Sequence, residues 1–187
     1  MQPKFEFTGE TKTVMGHTLQ RIRALRSFGN VNKGDLGGWL EKEENLSHER
    51  NSWVSGNALV FDDAQIFGNA RASGNSRVFG YAQIFGNSRA SGDAWVYDNA
   101  RASGNACIYN QNHIYIVPNI GSRNGTTTFF RTADRKIWVN CGCFSGDIDR
   151  FAAAVKKTHG ENQYAKDYAA AIERAKDWID LSGEGTE

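Results

Sequence analysis

From Val54 to Ile114 an aliphatic or alanine side chain returns at every sixth residue without a slip. The series is Val54, Val60, Ile66, Ala72, Val78, Ile84, Ala90, Val96, Ala102, Ile108 and Ile114. Four residues after each comes a small side chain, as at Ala58, Ala64, Ser76, Ala82 and Ala94, and between them stand turn pairs such as Gly56-Asn57 and Gly86-Asn87. A tandem period this strict dictates architecture before any other argument applies.

Each small residue precedes the next aliphatic one by two positions, so both point to the same side of a strand and into one core. Gly, Asn and Asp at the intervening positions tolerate the positive φ of a tight corner. Three strands and three corners close an 18-residue coil, and such coils stack. The pattern resembles the left-handed parallel β-helix of bacterial hexapeptide-repeat proteins, the acyltransferases among them, and the handedness rests on that resemblance. The expected fold is mainly β, with about three to four coils and a cap at each end.

Sorting outward residues by 18 separates three walls. The first carries Trp53/Ser55, Arg71/Ser73, Arg89/Ser91 and Cys107/Tyr109, a hydrated Arg/Ser ladder. The second carries Leu59/Phe61, Arg77/Phe79, Trp95/Tyr97 and His113/Tyr115, and the third Gln65/Phe67, Gln83/Phe85 and Arg101/Ser103. A contiguous aromatic strip on the second wall marks a contact surface, either for another part of the protein or for a partner.

Residues 1–47 read as a hairpin, turning at Gly16, followed by a capping coil. There the six-residue register is lost, and Trp39, Leu40 and Leu46 close the core. The β-helix spans 48–118. Residues 119–187 read as a ββαα module: a turn-rich linker through Gly125, strands over 126–132 and 136–141, and two helices. The first helix, from Ser145–Asp147 to His159-Gly160, puts Ile148, Phe151, Ala152 and Val155 on one face. The second, 161–181, carries Tyr164, Tyr168, Ala171, Ile172, Ala175 and Ile179 on its apolar stripe. GDLGGW (Gly34–Trp39), EKEENLS (Glu41–Ser47), tandem GNAR-type hexads and NCGCFSG (Asn140–Gly146), in that order before a two-helix tail, resemble a phage- and prophage-encoded hexapeptide-repeat family. That likeness covers nearly the whole chain and implies a phage setting without a reaction.

Twenty-two basic against 21 acidic residues, evenly spread, argue against a field that gathers bulk nucleic acid. No apolar run is long enough for a membrane span, and three cysteines without framework spacing suit a reducing interior. The expectation is a cytoplasmic protein in a bacterial host.

Enzyme chemistry finds few footholds. In the resembled acyltransferases a histidine acts as general base at a cleft between subunits, commonly beside a loop that interrupts the repeats. Here only His113 among four histidines falls on an outward array position, and an edge residue near the C-terminal cap is its simpler account. Three-histidine zinc chemistry lacks suitable spacing, and Cys141-Gly142-Cys143 supplies half a zinc site at most. Those cysteines read as small buried residues in a strand-to-helix turn, and neither metal nor cofactor is expected. Arginine beside aromatics can grip phosphate and stack a base. The expectation is therefore a non-enzymatic binding protein, homotrimeric as the resembled fold implies, that neutralises a host factor. Its ligand would be a host protein or a small nucleotide signal, met by Arg77, Trp95, Tyr97, Arg101, His113 and Tyr115. An acyltransferase using His113, or a virion component, are the alternatives.

Overall fold

The computed structural model describes residues 2–183. Ten two-residue strands, from Trp53–Val54 to Cys107–Ile108, stack in parallel as three walls of a β-solenoid. The register advances by one 18-residue coil per rung: Trp53 pairs with Arg71, Arg71 with Arg89, and Arg89 with Cys107. Inside, like stacks on like in columns Val54-Ala72-Ala90-Ile108, Val60-Val78-Val96 and Ile66-Ile84-Ala102, none exposed to solvent. Each aliphatic side chain so buried contributes about 1.5–3 kcal/mol of hydrophobic transfer, before the entropy of ordering it.

The corners work as the composition requires. Gly74 has φ of +64°, and a Cβ there would come 2.8 Å from the amide nitrogen of Gly92 on the next coil. Asp62 and Asp98 hold the same left-handed conformation where glycine is missing, at a cost that short polar side chains keep small. Corner amides also bond along the axis, Asn57 to Asn75 at 3.3 Å and Asn75 to Asp93 at 3.2 Å.

At the N-terminal end the register is kept longer than expected. Leu36–Leu40 lies parallel to Leu59–Val60, pairing Leu40 with Val60, and Leu46 bridges to Ile66. Leu40, Leu46 and Val54 thus form a complete first coil, with the only slip falling between the last two, where eight residues replace six. That makes four coils. Gly38 takes the inward small position that Ala58 fills one coil later. A Cβ there would meet the Ala58 carbonyl oxygen and Val54 Cγ1, both at 2.7 Å. Trp39 does not plug the core as Leu40 and Leu46 do. Facing outward, it packs with Leu19, Leu59 and Phe61.

The hairpin Phe5–Val14/His17–Ala24 turns at Met15-Gly16 and continues the second wall as antiparallel strands. Alternation splits its side chains. Phe5, Ile22 and Ala24 close the mouth of the core, while Val14 and Leu19 lie against the outward aromatic cluster.

The array ends at Ile108, one step before the sequence period does. The next inward small position is Asn112, whose amide has no place in an alanine column. Instead the chain makes a 3-10 turn, Gln111–His113, and enters a separate antiparallel sheet. That sheet runs Ile114–Ile120, Gly125–Arg131, Ile137–Cys141, Phe144–Asp147 in spatial order, so the module is ββββαα rather than ββαα. Its first strand crosses the boundary expected at 118, and the linker shrinks to a hairpin turn. Ile114 and Phe130 cap the solenoid core.

Helix α1 (Ile148–His159) starts where the Asp147 carboxylate accepts the Arg150 amide and stops at Gly160, φ +57°. Helix α2 (Gln163–Trp178) buries Tyr168, Ala171, Ile172 and Ala175; Tyr164, expected on that stripe, is 40% exposed. No helix among the described residues is long and apolar enough to cross a membrane.

Candidate functional site: the cationic and aromatic outer walls

The aromatic wall changes character along its length. Leu59 and Phe61 lie buried under the hairpin, Phe79 stacks on Phe61 at 5.1 Å, and Tyr97 stacks on Phe79 at 5.6 Å. Trp95 meets Phe79 edge-on at 6.2 Å and stays 38% exposed, with the Arg77 guanidinium 4.9 Å above its ring. Much of the strip is therefore an internal contact, and its open part is Arg77, Trp95 and Tyr97.

Two cations join from the hairpin. The Lys12 ammonium sits 4.2 Å from the Trp39 ring centre and Arg21 at 5.7 Å. Partial burial, then Arg21 and Arg77, hold the Lys12 amine below its ordinary pKa, so three cations share one field. Arg21 is partly offset by Glu10 at 3.3 Å, whereas Arg77 has no carboxylate partner among the described residues. Lys12 and Arg21 escaped the sequence argument because hairpin residues carry no repeat register, and Trp39 was expected to close the core rather than face outward. Trp39 reaches this wall by parallel pairing with Leu59, and the antiparallel pairing of Arg21 with Trp39 brings the two cations beside it.

The remaining expected residues go elsewhere. Arg101 lies on the third wall, over Phe85 at 5.4 Å. His113 belongs to the 3-10 turn, not to an outward rung, and is only 5% exposed. Its Nδ1 accepts the Tyr109 amide at 3.1 Å, and burial, then Arg131, holds the imidazole below its usual pKa. Tyr115 turns into the C-terminal module against Phe129, at 6.0 Å, although it shares a depression with Tyr97, Arg174 and Trp178. The Trp178 indole N–H donates to the Gln111 and Ile114 carbonyls at 3.0 and 3.2 Å, so the end of α2 is anchored on the 3-10 turn and the start of the C-terminal sheet.

His17, at the hairpin tip, stands between two carboxylates: Nδ1 to Glu41 at 2.9 Å and Nε2 to Asp62 at 3.5 Å. The Glu41 hydrogen bond raises the histidine pKa, and the same bond lowers that of Glu41. The carboxylates address opposite ring nitrogens, which suits a bridging imidazolium better than one shared metal ion. The cysteines correct the sequence expectation. Cys141 and Cys143 flank a hairpin turn between two strands, and Cys143 is exposed.

No family model matches the chain. A stretch of 65 residues is 35% identical to a protein of Escherichia coli (strain K12) described as "Uncharacterized acetyltransferase YdcK". That stretch is 34% of this chain, and the match spans 19% of the relative's length. The stacked six-residue rungs decide the architectural class. The repeat body is a hexapeptide-repeat β-helix. The rest of that relative lies outside the likeness.

Proposed function

We propose that this chain is a non-enzymatic binding protein that takes a planar anionic ligand of the nucleotide class on the wall formed by Lys12, Arg21, Arg77, Trp95 and Tyr97. The observation that carries this reading is the convergence of three cations on the buried Trp39 and the 38% exposed Trp95, with the Lys12 amine held down by partial burial and then by the neighbouring arginines. An added anion relieves that repulsion, while the Trp95 face offers a base a stacking surface. In the phage setting implied by the GDLGGW and NCGCFSG motifs, such a protein neutralises a host nucleotide signal, and a homotrimer would place this wall beside a neighbouring subunit. Native mass spectrometry and thermal shifts against a panel of mono- and cyclic nucleotides test it together. A ligand-dependent shift lost in Arg77→Gln supports the reading; no shift and no released nucleotide on denaturation sinks it.

The likeness to YdcK favours a second reading, transfer of an acyl group to a small acceptor. His113, enclosed and already accepting a backbone N–H, is a poor base for it in this conformation. Turnover of acetyl-coenzyme A would establish the second reading over the first.

A further inference from the structure

The first wall, expected to be a plain hydrated ladder, is a groove. Arg71 and Arg89 occupy adjacent rungs, and Ser55, Ser73 and Ser91 run beside them two residues on. Together with Asn30, Trp53 and Tyr109 they line a space of about 330 Å³. Neither guanidinium has a carboxylate partner among the described residues, although Arg71 is half-buried and leans against Gly29, where a Cβ would come 3.3 Å from its Nη2. Burial and then the like charge of Arg89 lower the Arg71 pKa. The Ser91 hydroxyl is sealed from water and has no hydrogen-bond partner, an arrangement native proteins seldom leave standing. One χ1 rotation would turn it into the groove. At the far end the Cys107 thiol donates to Tyr109 Oη at 3.0 Å, so the phenol keeps its own proton to give.

We infer that this groove binds the dianionic phosphate group of a small phosphate monoester, a site separate from the aromatic wall and independent of its proposed ligand. Two arginines on paired rungs, whose backbones lie one strand spacing of about 4.8 Å apart, present more donors than a carboxylate's two oxygens can absorb. With serine and tyrosine hydroxyls at the side, the donor set matches three terminal phosphate oxygens. The groove is larger than a phosphate alone, which leaves room for the esterified carbon skeleton toward Asn30 or Tyr109.

The test is calorimetric titration of the full chain with glycerol 3-phosphate, inorganic phosphate and sulfate, with amide NMR shifts to locate each. The expected result is saturable binding that perturbs Ser73, Ser91 and Tyr109. It should weaken roughly tenfold or more in Arg89→Gln, as loss of a charge-assisted hydrogen bond implies, and stay unchanged in Arg150→Gln, an exposed residue of α1 outside the groove lining. Arg89→Lys, keeping charge but not the fork, should fall between. Affinity should also rise between about pH 5 and pH 7.5 as the monoester loses its second proton. Tighter binding of the ester than of inorganic phosphate assigns the source to a phosphorylated metabolite, and the reverse to free phosphate. Heat that does not saturate, shifts scattered over all arginines, or unchanged binding in a folded Arg89→Gln would overturn the site.

Discussion

Nδ1 of His17 lies 2.9 Å from Oε1 of Glu41, which ties the tip of the N-terminal hairpin to the first coil of the solenoid. The imidazole pKa is raised on folding, so its contribution to stability is fully present below the unfolded value and lost as pH climbs through the folded one. Glu41 works in the opposite sense. Its folded pKa is lowered, so its contribution is present above the unfolded carboxylate value and fades as pH falls through the folded one. Between those limits the latch is closed. The difference in melting temperature between the native chain and His17→Gln should be greatest near about pH 5.5 and shrink toward about pH 8. A difference that grew with pH would refute the latch.

Gly38→Ala should destabilise the chain by about 1–3 kcal/mol, the usual cost of forcing a methyl into a filled core. The added Cβ meets the Ala58 carbonyl and Val54 at 2.7 Å, and the first coil has no slack to yield. Equilibrium urea unfolding reads the change directly.

Trp178→Phe keeps an aromatic side chain, though a smaller one, and removes the N–H that the Gln111 and Ile114 carbonyls accept. Loss of this hydrogen-bonded anchor should cost about 1 kcal/mol, concentrated in the last turn of α2. Hydrogen exchange at residues 172–178 should quicken while the solenoid amides stay protected.

On the aromatic wall, Trp95→Leu should reduce the nucleotide-induced change in tryptophan emission, leaving what Trp39 reports, and weaken binding by about 1–3 kcal/mol, the scale of one base–aromatic stack. Thermal stability should fall far less, because the ring is 38% exposed and its inward neighbour Val96 is untouched. Equal losses of both would make Trp95 a packing residue only.

The inward residues of the array were legible because one requirement, a small or branched side chain at fixed intervals, repeats with the coil. Leu40 and Leu46 obey the same requirement but were hidden by the eight-residue step to Val54. Ile114 obeyed it by spacing alone, since Asn112 forbids the coil it would complete. The candidate sites were harder to read for a related reason. Arg77, Trp95 and Tyr97 come together through the repeat. Lys12 and Arg21 arrive through hairpin pairing, Trp39 through the first-coil rung that pairs with Leu59, and His113 is drawn inside by a turn that the period does not encode. Phe144–Asp147, too short and glycine-broken to read as a strand, becomes one only because Ile137–Cys141 offers it an edge.

The two-register stacking of the walls also makes this chain extensible in quanta. A duplication of 18 residues within 55–108 would lengthen the Arg/Ser groove and the aromatic wall by one rung each and leave both caps in their original settings. Gain or loss of six residues would carry every downstream outward side chain to the adjacent wall, so that an insertion would place serines of the first wall where Phe79 and Tyr97 stand on the second. Variation in reach is thus open to such a molecule, whereas variation in phase is closed by the need to keep each face matched to the cap that covers it.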